Sequence, residues 1–213
     1  MSGEATLRAN KPERRRRKDA RPAEILDAAF REFAEKGFRG TRLEDVAARA
    51  GVVKGTIYLY YENKTALFEA AVRSRMLPMV DRVQAMAERH DGSAADMLRF
   101  MLRMIYERLS DPDVRTVIRI LIADGPEFPE LLKFYHGMFV SKMVRVLGAV
   151  IERGVARGEF RASAVRDVPQ VVMAPALMGA IWQMTFAPYQ PASLEEFMAA
   201  HAELVLNGLA KRD

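Results

Sequence analysis

A short polar and aromatic segment in the first third of the sequence carries the residues best suited to specific recognition. Lys54, Gly55 and Thr56 follow a tight turn at Gly51, and Tyr58 and two further tyrosines come soon after. An ammonium, a hydroxyl and a phenol can each donate to a phosphate or a base edge, while glycine allows close approach. This spacing is typical of a helix-turn-helix, whose second helix enters the major groove of DNA.

The flanking sequence predicts the helices that position this segment. Apolar residues recur at helical spacing over 22–36, with Gly37 suited to a C-terminal cap. A second, short helix is expected over 43–50, where Thr41 and Glu44 have the spacing of a capping box. The recognition helix itself is expected to begin at about Lys54.

The remainder of the chain also has helical periodicity. A fourth helix is expected to open near Asn63 and to kink or break at Pro78. The later predicted helices cover 93–110, 112–123, 128–153, 165–186 and 193–210. No alternating pattern predicts a sheet, so the predicted fold is all-α, with about nine helices.

The run TRLEDVAARAGVVKGTIYLYYENKTALFEAAV, preceded by ILDAAFREFAEKGF, closely resembles the N-terminal DNA-binding domain of the TetR family of transcriptional regulators. The resemblance extends over residues 22 to about 72. It implies a TetR-type helix-turn-helix domain of three helices at 22–66, with the motif at about 42–61. A ligand-binding and dimerisation domain would follow at 67–213, and residues 1–21 would form a basic flexible arm.

The resemblance also implies which residues touch double-stranded DNA. Thr41 would contact a phosphate while capping the second helix, and Tyr58 and Lys64 would clamp the flanking phosphates. The candidate DNA-binding residues are Thr41, Arg42, Val53, Lys54, Gly55, Thr56, Tyr58, Leu59, Tyr60 and Lys64.

Two of these residues depart from the family pattern. Val53 stands where the family commonly has serine, which removes a possible helix-capping hydroxyl. Leu59 stands at a site that is often polar or aromatic, where it would make an apolar contact with a thymine methyl group or no contact. Judged singly, Tyr58 and Tyr60 could also be core aromatics, and Lys64 an ordinary surface lysine.

The net charge of +5 resides wholly in residues 1–21, which carry eight basic and three acidic side chains. Residues 22–65 carry seven of each. The run from Arg14 to Lys18 has no apolar partner, so we expect an arm that either contacts DNA phosphates or is a solvated tail.

The family's C-terminal domain senses a small molecule, and the methionines and aromatics of this part of the chain are compatible with a cavity for a largely apolar organic effector. Trp182 is the preferred pocket residue, because it is the only tryptophan and Gln183 and Thr185 lie nearby. The candidate pocket residues are Met101, Met104, Phe134, Tyr135, Met138, Trp182 and Phe186. Each of them could instead belong to the core.

The last two predicted helices combine small and large apolar residues, as expected of a homodimer interface. The candidates are Ala174, Leu177, Met178, Ile181, Leu204 and Leu206. A symmetric dimer would place two recognition helices on a palindromic operator. An intramolecular core is the alternative.

Several classes of function are excluded by what the sequence lacks. It has no cysteine, its three histidines are far apart, and no phosphate loop, serine elbow or zinc motif appears. We therefore expect no metal, no cofactor and no enzyme activity. The apolar stretch 171–188 is about as long as the shortest membrane spans but is interrupted by polar residues, so no membrane role is expected.

The sequence thus predicts a repressor in the prokaryotic cytoplasm, associated with the nucleoid and released from its operator by a ligand. A ligand-responsive activator is one alternative. A helical small-molecule-binding protein without DNA function is the other.

Overall fold

The computed structural model describes residues 11–189 and 193–211. Within those residues it contains α-helices, two 3₁₀ turns, one π-helical turn and no β-strand, which confirms the all-α prediction. The helices are α1 (Lys11–Gly40), α2 (Leu43–Arg49), α3 (Lys54–Tyr60), α4 (Lys64–Arg89), α5 (Ala94–Leu109), α6 (Pro112–Ala123), α7 (Pro129–Tyr135), α8 (Ser141–Ala156), α9 (Ala174–Phe186) and α10 (Leu194–Leu209).

The chain divides into two compact units, Met1–Arg73 and Ser74–Asp213. The division falls within α4, later than the predicted boundary after residue 66. The first turns of α4 belong to the first unit because Leu67 and Phe68 are buried in its core.

Two helices begin elsewhere than the sequence pattern predicts. The backbone of α1 is helical from Lys11 rather than from Pro22, since arginine, lysine and alanine are favourable helix formers. The rest of the predicted arm, residues 1–10, lies outside the described residues. Helix α9 begins at Ala174 rather than 165, because 3₁₀ turns at Ala164–Arg166 and Pro169–Val172 precede it.

Other predicted features agree more closely with the structure. Gly37 has a φ of 69°, which ends the regular part of α1 as a C-terminal glycine should. The side chains of Ser93, Asp111 and Ser193 cap α5, α6 and α10. Helix α4, in contrast, continues through Pro78 without the predicted break.

Three phenylalanines form the centre of the first unit. The ring centroids of Phe33 and Phe68 lie 5.3 Å apart, and those of Phe38 and Phe68 lie 5.5 Å apart, both in edge-to-face geometry. Such pairs add to the free energy of burying the rings. They tie α1 to α4, so α2 and α3 are carried on a rigid base.

Helix α5 is the central helix of the second unit. Met97, Leu98 and Met101 are fully buried, and the helix packs against α8, α9 and α10. The Tyr106 hydroxyl lies 3.2 Å from Nδ1 of His201 on α10. Burial raises the pKa of Tyr106 to about 12, so the phenol stays protonated.

The π turn His136–Val140 joins α7 to α8 in a continuous helical stretch, Pro129–Ala156, that matches the predicted helix 128–153. Counted this way, the described helices number nine. This stretch is long and apolar enough, by length and composition, to cross a membrane. Core helices pass the same test, and Met143, Leu147 and Val150 are buried in the second unit.

Helix α8 offers a sharp test of the packing. A Cβ at Gly154 would overlap the Phe160 ring and lie 2.9 Å from Cβ of Ala94. We expect Gly154→Ala to lower the free energy of unfolding by about 1–3 kcal/mol through overpacking. At Gly148 of the same helix, the nearest atom would be Cγ of Pro169 at 3.7 Å. Gly148→Ala should therefore raise stability by about 0.5–1 kcal/mol through helix propensity. Urea unfolding of both variants checks the pair, and equal effects would contradict the packing of α8.

Candidate functional site

Helices α2 and α3 are joined by a tight turn. Gly51 has a φ of 64°, a left-handed conformation that favours glycine. The Val52 amide donates to the Ala47 carbonyl at 2.9 Å, which reverses the chain after α2. Ile57 of α3 is completely buried and anchors that helix to the unit. The geometry is that of a helix-turn-helix.

An ion-pair network fixes α2 against α1. The Glu32 carboxylate, which is nearly buried, accepts from Nε of Arg49 at 2.6 Å and lies 2.7 Å from the Lys36 ammonium. Lys36 also lies 2.7 Å from Asp45 on α2. Burial alone would raise the pKa of Glu32, but hydrogen bonds and charges from Lys36 and Arg49 lower it below its usual value. The carboxylate is therefore held ionised.

Helix α3 presents an unusual outward face. Leu59 is 82% exposed, Val53 is 75% exposed and Tyr58 is 48% exposed, and Tyr60 is also exposed. Lys54 ion-pairs with Glu44 of α2, and its ammonium lies 5.7 Å from the centre of the Tyr58 ring. Large apolar side chains left in solvent on a helix of seven residues mark a surface that contacts something else.

Two threonines predicted to contact DNA, Thr41 and Thr56, are buried in this structure, and their DNA contacts stay predictions. The Thr41 hydroxyl donates to the Gly37 carbonyl at 2.7 Å, so it secures the turn after α1. The predicted capping box with Glu44 is wrong, because Arg42 occupies the N-cap position and no side chain caps α2. Thr56 lies on the inner side of α3, so the exposed face is made by its neighbours.

Lys64 holds the backbone between α1 and α2. Its ammonium donates to the carbonyls of Phe38 at 2.6 Å, Arg39 at 3.2 Å and Thr41 at 3.0 Å. It also lies 4.6 Å from the centre of the Phe38 ring. The three carbonyl oxygens can accept from the three N–H groups of the ammonium. The predicted phosphate contact of Lys64 stays a prediction, and the geometry assigns the side chain a structural task.

Replacing Lys64 with methionine separates the two roles. We expect Lys64→Met to lower the free energy of unfolding of the first unit by about 2 kcal/mol, since charge-assisted hydrogen bonds to three carbonyls are lost. Lys54→Met is the matched control, because the ion pair of Lys54 with Glu44 is exposed and should contribute less than about 1 kcal/mol. Thermal unfolding followed by circular dichroism measures both. An unchanged melting temperature for Lys64→Met would refute the structural role.

The second unit contains an apolar cavity of about 360 Å³ that is partly open to solvent, within the range of small-molecule sites. Aliphatic side chains from several helices form most of its wall. They include Met76, Met79, Ile105, Ile118, Val144 and Met173. Arg108, Gln170 and Tyr135 also line it.

Of the seven pocket residues predicted from the sequence, Tyr135 lines this cavity. Met101 and Met104 belong instead to the buried core. Met138 is buried and Phe134 partly buried, and neither lines the cavity. The Trp182 ring packs on Phe186, with centroids 4.9 Å apart, also away from the cavity.

The sequence did not indicate Arg108 and Gln170 as cavity residues. They and the other cavity residues come from different helices and turns. No local motif connects them, so only the tertiary fold brings them together. A hydrophobic periodicity distinguishes buried from exposed faces, but it does not show where a buried face is left unfilled.

The predicted interface residues lie on α9 and α10. Leu177, Met178 and Leu204 are exposed, whereas Ile181 and Leu206 are partly buried. Ala174 is exposed and also lines the cavity. Among the residues that the structure describes, no cluster of histidine and carboxylate side chains could hold a metal ion.

The helix-turn-helix and the all-α fold together define a DNA-binding transcriptional regulator, a class without enzyme activity. The bacterial regulatory protein model of the tetR family matches residues 25–71, and the tetracyclin repressor-like C-terminal domain model matches residues 88–200. The chain belongs to the TetR family.

Known proteins similar to the chain include several bacterial transcriptional regulators. The uncharacterized HTH-type transcriptional regulator YfiR of Bacillus subtilis is 28% identical, with 68% of this chain and 70% of that protein covered. The fold is shared with FadR of Bacillus subtilis, solved in complex with stearoyl-CoA, at 21% identity and a TM-score of 0.73, covering 88% of this chain and 98% of that one. It is also shared with a regulator from Saccharomonospora viridis in complex with choline, at 20% identity and a TM-score of 0.74, covering 92% and 100%.

Proposed function

We propose that the protein is a homodimeric repressor that binds a palindromic operator through α3 and is released by a small, largely apolar ligand. The outward face of α3, with Val53, Lys54, Tyr58 and Leu59 in solvent, is the observation that carries this proposal. These side chains offer a charge, a phenol and two apolar groups. Together they suit phosphates, base edges and thymine methyl groups.

An acidic side chain beside this surface weakens its electrostatic attraction to DNA. Glu44 ion-pairs with Lys54, so a carboxylate lies beside the proposed recognition helix. Residues 22–65 carry no net charge. We therefore infer that specificity depends on a few placed contacts, while the basic residues 1–21 supply salt-dependent affinity in the cytoplasm, at nucleoid DNA.

The exposed apolar side chains of α9 and α10 support the homodimer. Leu204 is 74% exposed, and Leu177 and Met178 on α9 are about half exposed. Exposed apolar side chains on two neighbouring helices favour association, and a two-fold pair of subunits would place two copies of α3 on two half-sites.

The cavity of the second unit supports the effector. Its wall is almost entirely apolar and its volume suits a small organic molecule. Two structurally similar regulators were solved in complex with stearoyl-CoA and with choline. We propose that this chain also has an effector, without assigning it either of those two molecules. Release by the ligand follows if the ligand favours a conformation with lower operator affinity.

Leu59 provides the direct test of the α3 surface. Leu59→Glu should lower the affinity for DNA from upstream of its own gene by about tenfold or more, because a carboxylate replaces an apolar contact beside phosphates. The fold should be unaffected, since the side chain is in solvent. Tyr189→Glu, at a residue 87% exposed in the turn after α9, is the matched control and should leave affinity unchanged. Fluorescence anisotropy with labelled operator and scrambled DNA measures both.

Equal losses for the two variants would indicate a general charge effect rather than a recognition surface. Failure of the unaltered protein to distinguish operator from scrambled DNA would favour a ligand-binding protein without DNA function. Transcription that rises when the operator is occupied would instead favour an activator.

The dimer is tested at α9 and α10. We expect the double variant Met178→Glu with Leu204→Glu to dissociate the protein into monomers, since four carboxylates would meet across the two-fold interface. Leu132→Glu, at an exposed leucine of α7, should leave the dimer intact. Sedimentation velocity measures the mass of each variant. A dimer that survives the double substitution would place the interface elsewhere.

A further inference from the structure

The effector cavity contains a hydrogen-bond donor that the protein does not use. The inference drawn from it rests on the proposed function, because it specifies the ligand of the same cavity. Tyr135, Arg108 and Gln170 are the residues of its wall whose side chains carry polar groups. In a wall that is otherwise apolar, the placement of these three decides what chemistry a ligand needs at its polar end.

The Tyr135 hydroxyl is the unused donor. Its ring packs against Phe139, with centroids 5.3 Å apart, and no residue in 11–189 or 193–211 forms a hydrogen bond with the hydroxyl. The ring lies deep in the second unit but keeps accessible surface, because it borders the cavity. Burial raises the pKa of Tyr135, so the phenol remains protonated and can donate.

Arg108 is the charged residue of the wall. One terminal nitrogen of its guanidinium donates to the Asp111 carboxylate at 2.9 Å, and the other donates to the Arg75 carbonyl at 2.9 Å. These two bonds fix the guanidinium plane, so Arg108 is a fixed part of the cavity wall rather than a free donor.

The helix that carries Tyr135 is locally widened at the cavity. The π turn His136–Val140 follows Tyr135 directly, and its Phe139 and Val140 also line the cavity. A π turn has i to i+5 hydrogen bonds, which bring Tyr135 and Val140 to the same side of the helix. Such turns are rare and often occur at functional sites.

We propose that the cavity takes a ligand with an aliphatic chain and one hydrogen-bond-accepting end group, of which a medium-chain carboxylate is the simplest case. Tyr135 donates to the acceptor, and Gln170 adds an amide. The chain lies against the apolar wall. A ligand with a cationic end group such as trimethylammonium is disfavoured, because that group cannot accept a hydrogen bond from the Tyr135 hydroxyl.

Isothermal titration calorimetry of the full chain with decanoate and decyltrimethylammonium tests this assignment. The two probes share a chain length and differ in the end group. We expect decanoate to bind at least tenfold more tightly. Tyr135→Phe should weaken decanoate binding about tenfold, because the ring is kept and the donor is lost. Gln170→Leu is a second variant, for which a smaller loss is expected.

Tyr106→Phe is the matched control. It also removes a buried hydroxyl, but one that is bonded to His201 and does not line the cavity. Its decanoate affinity should equal that of the unaltered protein. Tighter binding of decyltrimethylammonium, equal effects of the two tyrosine variants, or no binding of any carboxylate from octanoate to dodecanoate would each overturn the proposal.

Operator binding without ligand is measured separately, so that the two proposals fail in different ways. Decanoate binding that depends on Tyr135, in a protein with no operator preference, would refute the repressor and leave the ligand assignment standing. Operator preference without decanoate binding would refute the ligand assignment and leave the repressor standing.

Discussion

The DNA-binding unit depends on a carboxylate buried between its first two helices. Glu32 is removed from water, which would destabilise a charge left alone, but a hydrogen bond from Arg49 and an ion pair with Lys36 compensate it. Because Arg49 is the last residue of α2 and the Gly51 turn follows at once, this contact fixes where the turn begins. The orientation of α3, and so of its exposed face, follows from that turn.

The second unit is constrained differently, because it is well packed and yet leaves a space unfilled. Around α5 the packing is close, and Gly154 is needed where Phe160 and Ala94 approach. Towards the C-terminal end of α5, the side chains of α4, α6 and the widened π turn stand apart and leave the cavity. The unit is thus densely packed at one end of α5 and leaves a space at the other, which a ligand can fill.

Local features were predictable from the sequence, and features that depend on distant parts of the chain were not. The α2–α3 turn and the caps at Ser93 and Ser193 are set by residues within a few positions of one another, and the structure contains them. The inward orientation of Thr56 and the bonds from Lys64 to α1 depend on how separate helices meet. The cavity depends on several helices at once, so composition favoured Trp182, which packs elsewhere.

The central claim is that two copies of α3 read two half-sites on one operator. Hydroxyl-radical footprinting of the unaltered protein on DNA from upstream of its own gene tests it most directly. The account predicts protection of two segments with inverted sequence symmetry, centred about one helical turn apart or a multiple of it, and loss of that protection when decanoate is added. Uniform cleavage along the DNA, or protection of a single half-site, would contradict it.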